Sequence, residues 1–347
     1  MEIRTGFPFR GKALEELRAF LERNGLAYDE GVRFSVCLVE DEKIAATGSL
    51  DGKVLKCIAV SPEFQEGGLA ARIVTELAGE AARNGVFHLF IFTKPGNEFL
   101  FRKLGFYTIA KTGDVLLMEN KKNGIASFVS SLGQPAGTEA AASPAGAIVM
   151  NCNPFTRGHR YLVESAAKQC ALLRVFVVSE NRSAFPAGDR YRLVCEGTAH
   201  IKNVLVHPTG PYLVSSATFP DYFLKEAFYG NPGAAPLSPR SINTLLDLSI
   251  FAECFAKPLG ISRRFVGTEP FDPVTAEYNR QMKEALPRFG IEVIELDRLE
   301  EEGEAISASR VRRLLQEGKL EQTRALVPET TYDYLVKNRG GPLDERR

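Results

Sequence analysis

The chain has 347 residues, room for two domains of about 150 residues each. Hydrophobic residues make up 44% and charged residues 25%, the proportions of an ordinary globular protein whose core needs no covalent staples. Lys+Arg and Asp+Glu both number 43, so the net charge is zero, which argues against a general nucleic-acid or membrane-surface binder and leaves only local basic patches open.

The six cysteines, Cys37, Cys57, Cys152, Cys170, Cys195 and Cys254, are scattered without a CxxC pair and read as reduced thiols of a cytoplasmic protein. The four histidines are dispersed, so no zinc-ligand spacing exists and no protein-held metal is expected. A basic-then-apolar leader and a run of 18 apolar residues are both missing, so neither a signal peptide nor a membrane span is expected.

In chain order, Arg10–Asn24 reads as an amphipathic helix with Leu14, Leu17 and Leu21 on one face. Short strands are predicted at Arg33–Glu40, Lys43–Asp51 and Lys53–Val60, with hairpin signals at Asp41-Glu42 and Asp51-Gly52. A Gly-rich turn, a helix at Ala70–Asn84, a strand at His88–Phe92 and a short segment Asn97–Leu104 before Gly105-Phe106 complete an α+β pattern. Residues 127–146 are dominated by small residues, Gly and Pro, and lose periodicity. This stretch divides the chain into a first domain (1–126), a linker (127–145), a second domain (146–339) and a tail (340–347).

The second domain alternates. Strand-like runs at Ala147–Met150, Val175–Val178, Val204–Val206, Arg264–Val266 and Glu292–Leu296 enclose helix-like segments such as Tyr191–His200, Ser241–Phe255 and Glu277–Phe289. Such alternation implies an α/β fold, a doubly wound parallel sheet of the Rossmann-like kind with right-handed crossovers. Ligands in these sheets bind beyond the carboxyl ends of the strands, and Asn151–His159 and Gly267–Pro270 both follow strands.

Asn153-Pro154-Phe155-Thr156-Arg157-Gly158-His159 lies between a strand and a helix-like run, so it forms a helix N-terminus, where free N–H groups and the dipole attract phosphate. Thr156 and His159 fall three apart on one face. The pair resembles the T/HxGH signature of nucleotidyltransferases, and Ile306-Ser307-Ala308-Ser309-Arg310-Val311-Arg312 resembles their ISxT/SxxR signature. In this reading His159 hydrogen-bonds the α-phosphoryl oxygens as their charge redistributes. Gly158 leaves room for the phosphate. Thr156 either donates its hydroxyl there or caps the helix. Ser307, Ser309 and the helix start cradle the β- and γ-phosphates, and Arg312 supplies a cationic fork, while Arg310 and Arg313 point elsewhere. Asn153 and Phe155 join the ATP-binding set, as do Gly267, Thr268 and Glu269, whose backbone would read adenine. Arg190 binds phosphate or a substrate carboxylate, or else lies on the surface. Arg263-Arg264 reads as a basic patch that meets an acidic carrier or is simply solvated. ATP enters such sites with magnesium held mainly by its own phosphates.

In the first domain, Gln65-Glu66-Gly67-Gly68-Leu69-Ala70 resembles the Q/RxxGxG/A turn of GNAT-type acyltransferases, which holds the coenzyme A pyrophosphate, and Phe99–Phe106 resembles their later motif. No general acid–base pair can be placed there from the sequence. A GNAT-like domain followed by a T/HxGH domain resembles the citrate lyase ligase family over roughly residues 1–338, with Ser215–Pro220 the most distinctive segment. The resemblance implies that acetate and ATP form acetyl-AMP and pyrophosphate. The acetyl group then passes to the thiol of the phosphopantetheine-like prosthetic group on the citrate lyase acyl-carrier subunit. It also implies that Gln65, Gly67, Gly68 and Ala70 dock the coenzyme-A-like arm. The rival readings are an adenylyltransferase acting on a nucleotide or phosphopantetheine, a CoA-dependent N-acetyltransferase with a nucleotide-sensing domain, and a binding module without turnover.

Overall fold

The computed structural model describes all residues except 30, 134–143, 182, 216, 219–238, 270–271, 302–303 and 339–347. The chain forms two compact units, one of residues 1–127 and 216–247, the other of residues 128–215 and 248–347.

The first unit contains β1 (Glu2–Gly6), α1 (Gly11–Arg23), β2 (Phe34–Glu40), β3 (Lys43–Asp51), β4 (Val54–Val60), α2 (Leu69–Arg83), β5 (Phe90–Thr93), α3 (Glu98–Lys103), β6 (Tyr107–Lys111) and β7 (Leu116–Glu119). Its mixed sheet runs β1-β2-β3-β4-β5-β7-β6. The strands are antiparallel except β4 and β5, which pair in parallel at Val54↔Phe90 and Leu55↔Ile91. Asp41 and Glu42 both adopt positive φ, the geometry that matches a two-residue hairpin to strand twist. Leu69, Ile73, Val74, Leu77 and Ala81 recur at helical spacing, so α2 buries that face against Val36, Leu38, Leu50 and Leu55 of the sheet. The turn before α2 ends at Gly68, whose φ of +66° is a left-handed conformation that a Cβ would strain. This α+β unit has the mixed-sheet organisation that the GNAT resemblance implies.

In the second unit the strands are β8 (Ala145–Met150), β9 (Leu172–Val177), β10 (Val204–Pro208), β11 (Ile261–Gly267) and β12 (Glu292–Leu296). They form one sheet of order β10-β9-β8-β11-β12, parallel throughout. The order reverses between β8 and β11, and that is the switch point where a doubly wound sheet opens a crevice. α4 (Gly124–Ser131) takes up the first residues of the expected linker, and residues 134–143 of it lie outside the described residues. The helices α5 (Arg157–Ala167) and α6 (Ala187–Thr198) follow β8 and β9. The expected Ser241–Phe255 helix is α7 (Pro239–Ile250), whose residues up to 247 belong to the first unit, continued by a π-helical turn, Phe251–Ala256, and α8 (Lys257–Leu259). Next come α9 (Pro273–Ala285), the two-residue strands β13 (Glu300–Glu301) and β14 (Glu304–Ala305), α10 (Ala308–Gln316) and α11 (Glu329–Lys337). Ile148, Val175, Val177, Val163, Leu193 and Phe265 form the core between sheet and helices. No helix among the described residues is long and apolar enough to cross a membrane.

Two buried groups face each other on β9 and β10. Arg174 Nη1 lies 3.0 Å from His207 Nε2. A guanidinium only donates, so His207 accepts and stays neutral. Burial, aided by Arg174, pushes its pKa from 6.5 down to about 4. The unfolded chain therefore binds a proton that the folded chain refuses between pH 6.5 and 4, and stability is expected to fall as pH drops through that window and to level off below it. A thermal unfolding series against pH checks this, with a shallower slope for His207→Gln; equal slopes would remove His207 from the account.

Candidate active site

A cavity of about 690 Å³ opens at the carboxyl ends of the parallel strands, lined entirely by the second unit. Its wall takes in Asn151, Asn153, Thr156, Gly158 and His159 after β8, Gly267 and Glu269 after β11, Arg298 after β12, and Ser307, Ser309 and Arg312 at the start of α10. Two signatures some 150 residues apart thus share one wall.

α5 begins there because Thr156 is a capping residue. Its Oγ1 accepts from the His159 N–H at 3.2 Å, and the Thr156 N–H donates to His159 Nδ1 at 3.1 Å. These reciprocal bonds satisfy two orphan groups at the helix start. Thr156 is 1% exposed, so of its two expected roles the cap is the one in place. The second bond also sets the tautomer. A backbone N–H cannot accept, so Nδ1 is unprotonated and the ring's proton sits on Nε2. Burial, with Arg298 nearby, lowers the imidazole pKa to about 4, so the ring is a neutral Nε2–H donor at pH 7. That nitrogen takes no partner among the described residues, and His159 lines the cavity.

Phe155, expected to bind ATP, is fully buried and does not line the cavity. Its ring stacks beneath His159 at 6.0 Å and packs against Gly197, so it supports the imidazole from the core. Gly158 also differs from expectation. A Cβ there would meet the Ile306 carbonyl oxygen at 2.7 Å, so what needs the missing side chain is the contact between the two motifs. Gly158→Ala is expected to force them apart, costing about 1–3 kcal/mol in a denaturant titration and most of the activity.

α10 is capped by Ser307, whose Oγ accepts from the Arg310 N–H at 3.1 Å. Arg312, one turn further, donates Nη1 to the Asn153 carbonyl at 2.5 Å and Nη2 to Ser309 Oγ at 3.0 Å. It therefore ties the first motif to the second. Arg310 and Arg313 line a different hollow with Glu304 and Glu317, as their spacing on the helix implies.

Thr268, expected in the nucleotide set, donates its N–H to Leu296 O at 2.9 Å and accepts Arg298 Nε at 2.5 Å. It is used within the protein and does not line the cavity. Glu269 lines it, but its carboxylate pairs with Arg298 and accepts the Asp272 N–H at 3.1 Å. Gly267 has open space at its Cβ position. Pro270 and Ser216, Phe219 and Pro220 of the distinctive segment lie outside the described residues.

Arg190 fits none of its expected roles. It is fully buried and donates to Phe185 O, Asn151 O and Oδ1, Val178 O and Glu180 O at 2.6–3.0 Å. It holds the chain segments after β8 and β9 together. Arg263-Arg264 is not a surface patch either: Arg263 pairs with Glu292, and Arg264 is buried with its guanidinium 4.6 Å from the Phe251 ring centre.

The sequence reading missed Arg298 and the α9 residues Thr275, Tyr278, Asn279 and Met282, all of which line the cavity. Arg298 was findable, since it stands two residues past a predicted strand whose carboxyl end belongs to the ligand crevice. The α9 residues carried no motif.

A family model for the citrate lyase ligase C-terminal domain matches residues 145–335, the segment that builds this cavity. The chain belongs to the citrate lyase ligase family. The [citrate [pro-3S]-lyase] ligase of Escherichia coli is 41% identical over 330 residues, covering 93% of this chain and 90% of that one. The Klebsiella pneumoniae and Haemophilus influenzae proteins of the same name are 40% and 38% identical, covering 93% and 94% of this chain and 92% and 96% of theirs. Membership spans both units, and it makes the chain an enzyme of the ligase class.

Proposed function

We propose that this ligase activates acetate with ATP and acetylates a carrier-bound thiol. The convergence of two helix N-termini with Arg312, Arg298 and neutral His159 on one cavity carries the reading. Helix N-termini and arginine forks are anion sites, and a cavity of this size accepts a nucleotide. His159 and Arg312 serve catalysis directly, and Thr156 serves it by holding the His159 ring. Asn153, Gly158, Gly267, Glu269, Ser307 and Ser309 surround the triphosphate and nucleoside. Arg298, anchored by Glu269 and Thr268, joins them.

A carboxylate oxygen of acetate attacks the α-phosphorus and the bond to the bridging oxygen breaks, so pyrophosphate leaves and acetyl-AMP forms. The thiol sulfur then attacks the acetyl carbon, AMP departs, and the thiol proton passes to solvent. In the first step the protein positions the reactants and stabilises charge that shifts onto the phosphoryl oxygens. His159 Nε2–H is preorganised for that task because Nδ1 is already fixed by Thr156. Among the described residues no group of three His, Cys, Asp or Glu could hold a metal ion. Magnesium fits here as a companion of the triphosphate, with Asp272 and Asp297 the carboxylates of the cavity wall besides Glu269, which pairs with Arg298.

The acceptor is the phosphopantetheine-like thiol of the citrate lyase acyl-carrier subunit, and the Gln65–Ala70 turn of the first unit docks its arm. The location proposed is the cytoplasm, and neither nucleic acid nor membrane is a partner. The deciding experiment is ATP–pyrophosphate exchange by the purified chain with magnesium, with and without acetate and with the carrier added. Exchange that requires acetate is expected. Exchange indifferent to acetate would turn the reading toward an adenylyltransferase.

A further inference from the structure

The carboxyl ends of the strands divide the cavity by chemistry. Taken in sheet order, the wall includes Val214 after β10, Val178 after β9, His159 after β8, Glu269 after β11 and Arg298 after β12. The charged side chains of the wall and its imidazole all lie on the β8–β12 side, beside apolar ones such as Leu162 and Met282. The β9–β10 side offers apolar side chains.

Val214 is unusual among them. Its φ is +48°, and among the described residues it is the one β-branched residue in the left-handed region. There the branched Cβ crowds its own backbone, a genuine outlier that persists only where the surroundings impose it. Core burial does not explain the choice of valine. Tyr212, Leu213 and Ser215 around it are 2%, 1% and 7% exposed, whereas Val214 is only half-buried and turns to the cavity. A glycine would relieve the strain at small loss of packing, so the side chain serves the cavity.

We propose that Val214 is the residue that sets the length of the acid substrate. Resting on the adenylation reading above, it closes the β9–β10 end of the cavity around a methyl group and excludes longer unbranched acids. The acid's carboxylate must point toward the α-phosphate beside His159, so its alkyl end points the other way along the sheet, toward Val178 and Val214. One methylene in an apolar pocket is worth about 10–200-fold in discrimination, which a single valine wall can supply.

The test compares wild type, Val214→Ala and Val214→Gly in magnesium-dependent ATP–pyrophosphate exchange with acetate, propionate and butyrate. Both variants are expected to keep acetate-dependent exchange, with kcat/KM for propionate relative to acetate raised about 10-fold or more. The glycine variant suits the backbone and should unfold at no lower temperature, which keeps the test open if alanine fails to fold. A propionate-to-acetate ratio equal to that of wild type overturns the proposal. So does loss of exchange with every acid in a folded variant, which would assign Val214 to holding the loop. Wild-type exchange independent of any acid would show, before any substitution, that the adenylation reading itself has failed and this inference with it.

Discussion

His159→Ala is expected to lower the kcat of acetate-dependent ATP–pyrophosphate exchange about 10²–10³-fold, the usual cost of removing one preorganised donor at a developing charge. The structure supplies the reason for so large an effect. The ring is neutral, its Nδ1 is held by the Thr156 N–H, and its Nε2–H is left for the ligand. The fold should survive, since the lost half of the capping box is worth only about 1 kcal/mol. A circular dichroism melt separates the two effects. His159→Asn carries an amide donor on a shorter side chain and is expected to recover part of the loss. Turnover near wild type in the alanine variant would remove His159 from the mechanism. Because burial lowers the imidazole pKa of the free enzyme to about 4, kcat/KM is not expected to show a histidine titration near pH 6.5.

Arg312→Ala is expected to cost a comparable ~10²–10³-fold in kcat/KM for ATP, because the side chain lines the proposed nucleotide cavity and joins the two motifs. Its fork spans the Asn153 carbonyl and the Ser309 hydroxyl, 156 residues apart in the chain. Lysine keeps the charge but not the planar fork, so Arg312→Lys should rescue less than about a tenth of the loss. Equal kinetics for lysine and arginine would show that charge alone is needed. Arg313→Ala, in the next position but lining the other hollow, serves as the control and should leave KM for ATP unchanged.

Local pattern in this chain decided a good deal. The alternation of short apolar runs with amphipathic segments specified the parallel sheet, because strand and helix periodicities are written in neighbouring residues. The capping logic around Thr156 and Ser307 was legible for the same reason, since a cap acts within one turn. Family membership was legible because the motifs that carry it are short and ordered along the chain.

Other features depended on distance. Whether Arg190 was a ligand or a structural hub turned on which carbonyls surround it, and those come from segments up to 39 residues away. Phe155 and Thr268 stand inside nucleotide-binding-like segments, yet one is buried under His159 and the other is spent on Leu296 and Arg298. Gly158 was rightly marked as a place where a side chain would intrude, but the atom it would strike belongs to Ile306. The strain at Val214 leaves no trace in composition at all, because a backbone angle is imposed by the loop's surroundings and not by the residue that bears it. Local pattern was enough for the five parallel strands, their order along the chain and the chemistry of the two motifs, which rest on contacts within a few residues, whereas β1, β6, β7 and α11 went unread. The tertiary structure alone decided which of those side chains face the cavity, since that depends on the strand order that brings five chain segments to one edge.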